Sequence, residues 1–387
     1  ILLRSAWQTV NIGDIGHTFG MLALIEKYLP EVEVRLWAVN VGRGVKSLLE
    51  QRFPNVEIIL HNDEERVKAA FKACDLFLHG SCPYLAAKKE MDRWIRETGK
   101  PCGVYGISLP PDHARNDEVV RLLNQSRFVF FRDTVSLEMA RLNGVKAPIM
   151  EFGPDAAFAV DIMNDQAAKK FMAENELEEG KFLCVIPKYR RTPYWEIPEK
   201  NRPFDPKIHA RNQKMKTHDI QPYKKAIMAV VKQTPMKVLI CPEDMTQMAL
   251  GKEMLYNPLP DEIKERVEWR EKFWLTDEAL SIYVRSAGLF GLEQHSPIMC
   301  IGNEIPAYVG RFVEQGTKGF MWKDIGLYDW LFDSDSLFDM DQLVPMVLWM
   351  AKFPYKAKGR ALVAKARVES YQARTMKVLE QTLSKAV

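Results

Sequence analysis

Short apolar runs alternate with helix-length amphipathic segments along most of this chain, and no other feature restricts its fold as strongly. Residues 1–6, 32–38, 56–60, 76–79, 103–107 and 128–131 each read as a buried strand, with helices predicted between them over 18–29, 45–52 and 64–73. Strands interleaved with helices of about ten to fifteen residues build parallel sheets covered on both faces. The pattern then restarts. Strands are predicted at 181–186, 237–241, 267–269, 288–291 and 307–309, with helices at 222–233, 246–256 and 276–286. A chain of 387 residues accommodates two such units at about 150 residues per domain. The predicted fold is therefore α/β, with two Rossmann-like, doubly wound domains facing across a cleft. Residues 1–176 form the first domain and 177–357 the second; a long helix over 358–387 packs back across them.

Composition narrows the function classes. Lys and Arg number 54 against 51 Asp and Glu, a net charge of +3, which gives no electrostatic footprint for nucleic acid. The longest apolar run, 343–351, is nine residues and contains Pro345, whereas a bilayer span needs about 20. The cysteines Cys74, Cys82, Cys102, Cys184, Cys241 and Cys300 include no CxxC and no Cys–His cluster. They are expected to be free buried thiols, which fits a reducing compartment. The expected location is cytoplasmic, or exported if a signal segment preceded Ile1. No spacing calls for a metal ion, and no cofactor is expected.

One stretch follows neither period. Residues 189–219 hold Pro193, Pro198, Pro203 and Pro206, and from 188 to 225 there are eleven Lys or Arg against four Asp or Glu. Tyr189, Tyr194, Trp195 and Phe204 are interleaved. Aromatics among bases suit a sugar face beside an anion, and a solvated excursion is the plainer reading.

Ligands of open α/β sheets bind beyond the carboxyl ends of the strands, so the loops there hold the candidate residues. The first is Asn11-Ile-Gly-Asp-Ile-Gly-His17, where Asn11 and Gly13 would let a ligand approach the backbone and Asp14 is a reactive carboxylate or a helix cap. Gly80 and Ser81 end another strand. Arg132 precedes a helix, either pairing with Asp133 or contacting an anion. After the strand at 288–291 comes Glu293-Gln294-His295-Ser296, in which His295 is a proton donor and acceptor or a structural imidazole.

Taken together, these stretches resemble the polysaccharide pyruvyl transferase family. The likeness lies in Asn11-Ile-Gly-Asp14, Asp75-Leu-Phe-Leu-His-Gly-Ser81, Tyr105-Gly-Ile107, Arg132-Asp-Thr-Val-Ser136, Gly153-Pro-Asp-Ala-Ala-Phe158 and Gly291…His295-Ser296, with Ile305-Pro306 and Lys318-Gly-Phe320 behind. The resemblance implies a GT-B-like fold, with the acceptor on the first domain and the donor on the second. It implies transfer of the pyruvyl group of phosphoenolpyruvate to a sugar diol of a cell-surface polysaccharide or its precursor. His295 would be the general acid and base at the mouth of the cleft, with Asp14 and Asn11 placing the acceptor. Glu293 stands where the family has an arginine, so the donor's charge would fall to Lys188, Arg190, Arg191, Lys318 or Arg132. Two alternatives keep the fold: a glycosyltransferase using a nucleotide sugar, with Glu293 accepting from a hydroxyl, and an exported glycan-binding protein without catalysis.

Overall fold

The computed structural model describes residues 1–385. Two all-parallel sheets organise them. The first runs β1 (Leu2–Ser5), β2 (Arg35–Ala38), β3 (Glu57–Leu60), β4 (Phe77–His79), β5 (Cys102–Ile107), β6 (Phe128–Phe131) and β7 (Met150–Phe152), in the order 3-2-1-4-5-6-7. The second contains β8 (Phe182–Ile186), β9 (Lys237–Ile240), β10 (Val267–Trp269), β11 (Gly288–Gly291), β12 (Ala307–Arg311) and β13 (Leu331–Asp333), in the order 10-9-8-11-12-13. Both orders reverse beside the first strand of their unit, at β1/β4 and β8/β11. A doubly wound sheet opens its ligand crevice at that reversal.

The predicted first helix is too short. It begins at Ile12, six residues before the position the apolar spacing suggests. Asn11 caps it, its side chain accepting from the backbone N–H of Gly13 (2.8 Å) and Asp14 (3.1 Å). Gly13, Gly16 and Gly20 make the segment read as a turn, but here they serve packing: a Cβ on Gly20 would lie 1.9 Å from the Ala156 carbonyl oxygen, and one on Gly13 would lie 2.0 Å from the His295 Cβ. The ridge of absent side chains brings this helix against both domains.

The 189–219 stretch is also different from its prediction. A helix runs from Pro206 to Gln233, straight through Pro222. Asp205 accepts from the N–H groups of Lys207 and Ile208 while Pro206 takes the first helical position, a strong start signal. Pro222 removes one hydrogen bond, yet Ile220, Tyr223, Ile227 and Val230 are buried and hold the helix on its sheet. Only residues before Asp205 remain irregular, with two 3₁₀ turns.

The C-terminal helix starts at Pro354 and runs to Leu383, and the last two residues of its predicted span, 386 and 387, lie outside the described residues. It meets the first domain through Tyr105–Thr375 (hydroxyls 3.1 Å apart) and the edge of Phe152 on Tyr371. All six cysteines are buried and free. Among the described residues no helix is long and apolar enough to cross a membrane.

Candidate active site

The switch points of the two sheets face each other, and the chain stitches them together with backbone. Ile12 N–H donates to the Glu243 carbonyl (2.9 Å), Met245 N–H to that of Val10 (3.2 Å), and the Thr276 hydroxyl to that of Ile12 (2.8 Å). The first turn of the Ile12–Tyr28 helix is thereby fixed against the loop after β9 and the helix that opens at Thr276.

Five side chains meet at this junction. Asp14 and His17 lie one turn apart on one helix face, with Asp14 Oδ1 3.8 Å from His17 Nδ1. The His17 ring meets that of His295 edge-on at 4.7 Å, which the bare Cα of Gly13 permits. Each imidazole has a carboxylate behind it. His17 Nε2 is 3.3 Å from Asp155 Oδ2, and His295 Nδ1 is 3.1 Å from Glu243 Oε1. Glu243 is fixed in turn by the Ser296 N–H on its second oxygen (2.7 Å). His295 Nε2 is buried without a partner.

Cations surround this acidic and aromatic centre. Lys318 Nζ is 3.4 Å from His295 Nδ1. Lys188, just past β8, pairs with Glu293, which also accepts from Gln247 Nε2 (2.6 Å). Below, fully buried Arg132 donates to Asp155 Oδ2 (2.6 Å) and to Ser108 Oγ (2.9 Å). Burial, and then Arg132, pull the Lys318 ammonium down to about 8. Burial, Lys318 and His17 hold His295 well below the usual imidazole range, so the ring is neutral at pH 7. Burial opposes ionisation of Asp14, but His295 and His17 outweigh it and lower its pKa. Burial and Glu243 push Glu293 up, while Glu293 and Asp244 overcome burial to keep Lys188 charged.

The structure thus gathers Asn11, Gly13, Asp14, Arg132, Lys188, Glu293, His295, Ser296 and Lys318. It also corrects several expectations. His295 is not at an open mouth; only 5% of it is exposed. The Gly13 N–H is taken by Asn11, so this glycine serves the close approach of His295 rather than a ligand. Gly80 N–H donates to the Arg4 carbonyl, Ser81 Oγ accepts from Ala156 N–H, and Ser296 Oγ accepts from Tyr283, leaving these three as framework. Arg190 spends its guanidinium on Asp219, Glu314 and Asp335 and braces the loop instead of joining the cluster.

Three members escaped the sequence reading of the site. Glu243 follows β9 in Cys241-Pro-Glu-Asp244, a strand-end carboxylate that the search of strand ends passed over. His17 was visible at the end of the first loop, and Asp155 within Gly153-Pro-Asp155, but neither had a role. Beside Asp14 lies a cavity of about 460 Å³ lined by Trp7, Tyr84, Tyr194, Lys200 and Arg202. The irregular loop supplies the last three, so its aromatic and basic residues do reach the cleft.

A family model described as polysaccharide pyruvyl transferase matches residues 40–309. The chain belongs to the polysaccharide pyruvyl transferase family. The matched span contains Glu243, Glu293 and His295, whereas Asp14 and His17 precede it. No curated protein matches by sequence. Solved structures do resemble this family member in fold. Anabaena HepE in complex with UDP and glucose superposes with a TM-score of 0.59 at 12% identity, covering 98% of this chain and 99% of that one. The UDP-GlcNAc 2-epimerase of Neisseria meningitidis bound to UDP-GlcNAc gives 0.60 at 9% identity, covering 98% and 100%. A putative UDP-N-acetylglucosamine 2-epimerase of Listeria monocytogenes gives 0.59 at 11%, covering 100% and 97%. The chain accordingly has a GT-B-like fold.

Proposed function

We propose that this chain transfers the pyruvyl group of phosphoenolpyruvate to two hydroxyls of a sugar, forming a pyruvate ketal and releasing phosphate. The observation that carries this reading is the convergence of His295, backed by Glu243, with Asp14 and Lys318 at the junction of the domains. In the reaction C3 of the donor gains a proton, C2 forms two C–O bonds, and the C2–O bond to phosphorus breaks. Of the two hydroxyl protons released, one balances C3 and the other leaves with phosphate.

His295 is the proton carrier. It is neutral in the free site, and a phosphate and carboxylate arriving beside it would raise its proton affinity, so that it becomes an acid only when the donor is bound. Lys318 and Lys188 provide positive charge where Glu293 replaces the family's arginine. Asp14 faces the aromatic cavity and accepts from an acceptor hydroxyl; Trp7, Tyr84 and Tyr194 suit the apolar face of a sugar ring. A nucleotide-sugar donor is the second reading, favoured by the UDP carried in the Anabaena and Neisseria structures.

Thermal unfolding with phosphoenolpyruvate and with nucleotide sugars tests donor choice, because ligand at 100 times its Kd stabilises by about 2.7 kcal/mol. Phosphate release over a panel of sugar diols, with mass detection of the ketal, tests the reaction. His295→Gln should slow it about 10²–10⁴-fold with an unchanged unfolding midpoint. Stabilisation by a nucleotide sugar alone, or wild-type turnover in that variant, would overturn the proposal.

A further inference from the structure

We infer that Asp14, His17 and His295 form a binding site for a divalent transition metal of the zinc class, held between the two domains. It shares Asp14 and His295 with the proposed transfer reaction, but metal binding can be read without that reaction. One ligand atom from each of the three residues lies within 4.8 Å of the other two. A tetrahedral centre with bonds of about 2.0–2.2 Å spaces its ligand atoms roughly 3.4 Å apart. The 3.8 Å between Asp14 Oδ1 and His17 Nδ1 is already near this, and side-chain rotations that shorten the other separations by at most about 1.4 Å close the rest.

The outer partners support this assignment more than the spacing does. Metal-bound histidines usually direct their other nitrogen at a carboxylate, which fixes the tautomer and leaves a lone pair for the ion. Here both imidazoles have that arrangement. Asp155 lies 3.3 Å from His17 Nε2, freeing Nδ1, which faces Asp14. Glu243 lies 3.1 Å from His295 Nδ1, freeing Nε2. His17 is fully buried with no hydrogen bond on Nδ1, and His295 Nε2 also has none. Buried polar atoms without partners are uncommon and point to a missing ligand or ion.

Charge favours a dication. Four carboxylates, Asp14, Asp155, Glu243 and Glu293, stand against three cationic side chains, Arg132, Lys188 and Lys318. Two imidazoles and a single carboxylate select zinc-like ions over magnesium or calcium. Asp14 also lines the 460 Å³ cavity, from which a water or substrate oxygen would complete the fourth position. Metal and proton compete for the same His295 lone pair, so the loaded site cannot carry out proton transfer, and added Zn²⁺ inhibits while chelation restores turnover.

The test uses the whole chain, stripped with chelator, without phosphoenolpyruvate. Zn²⁺ titrated against a chromophoric chelator should bind one to one at micromolar concentration, raise the unfolding temperature, and be replaceable by Co²⁺ with intense visible bands of a tetrahedral ion. His17→Gln should unfold in chelator near the wild-type temperature but lose at least about 10–100-fold in affinity along with the Co²⁺ bands. If that variant fails to fold, Asp14→Asn takes its place with the same expected loss. Wild-type protein binding Zn²⁺ no more tightly than the variant, or a Co²⁺ spectrum of the hydrated octahedral ion, overturns the site. Because metal alone is read, failure of the proposed transfer reaction leaves this result untouched.

Discussion

Gly13→Ala asks whether the two domains meet at His295 as closely as the structure shows. The added methyl would lie 2.0 Å from His295 Cβ, 2.3 Å from Cγ and 2.4 Å from Nδ1. Carbon atoms rest at about 3.5–4.0 Å, so the two helices must part by roughly 1.5 Å. Rotating the imidazole gives no relief, because the nearest atom is the Cβ, which moves only with the backbone. Forced overpacking of this kind costs about 1–3 kcal/mol, and the upper end applies. Alanine regains up to about 1 kcal/mol of helix propensity, leaving a net loss near 2 kcal/mol. Gly359→Ala supplies the control: its added Cβ meets nothing within 4 Å inside the Pro354–Leu383 helix, so only the propensity gain remains. The same chemical change should therefore destabilise at one site and stabilise at the other, by urea unfolding. A displacement above 1 Å also carries His295 Nδ1 from Glu243 and Lys318, and misplacement on that scale lowers turnover about 10²-fold. A Gly13→Ala protein with the wild-type midpoint and wild-type phosphate release would refute the close approach and the site built on it.

Further predictions use other parts of the structure. Burial pushes His79 down to about 3, so the folded chain keeps it neutral while the unfolded chain protonates near 6.5; its contribution is complete above 6.5 and lost as pH falls, by roughly 2 kcal/mol at pH 5, and His79→Gln should flatten the acid side of a urea-midpoint profile. The Lys188–Glu293 pair is almost fully buried, at 13% and 3% side-chain exposure, so Lys188→Met or Glu293→Gln alone should cost about 3–5 kcal/mol, whereas the double variant should cost far less than the sum in the same unfolding assay. Asp324 accepts from the Thr134 N–H (3.0 Å) and hydroxyl (2.7 Å), capping a first-domain helix from the second domain; Asp324→Ala should lose about 1 kcal/mol in thermal unfolding.

The strands in each sheet's centre were plain in the sequence because runs such as Phe182–Ile186 and Phe128–Phe131 are buried on both faces and contain almost nothing polar. The edge strands Met150–Phe152 and Leu331–Asp333 were not: each has three residues, one buried and two partly buried, too few to give a period to detect. Both helix errors had one origin, reading glycine and proline as punctuation. At Gly13 and Gly20 the lost propensity is offset by contact that only a bare Cα allows, and at Pro222 the lost hydrogen bond is outweighed by burial on both sides of it. Tertiary packing decided each case, and packing partners distant in sequence leave no local trace. The same holds for the site. His295 stood out because a histidine at a strand end is conspicuous, but Glu243, 52 residues away, becomes its partner only when β9 and β11 flank β8.

Glu293 shows why a residue's charge cannot be read without its neighbours. Taken alone it looks hostile to an anionic donor, since it is a carboxylate beside the site. In the fold it is not a free negative charge: Lys188 pairs with it and Gln247 occupies the same oxygen, which partly offsets the upward push on its pKa from burial and Glu243. Its electrostatic effect is therefore mainly to hold Lys188 charged beside the cluster, where an isolated buried lysine would tend to give up its proton. An arginine at 293 would face Lys188 directly and repel it. The carboxylate and the lysine are best understood as one unit, a cation and its anchor, and Lys318, which lacks such an anchor and is pulled down to about 8, marks what Lys188 would become without Glu293.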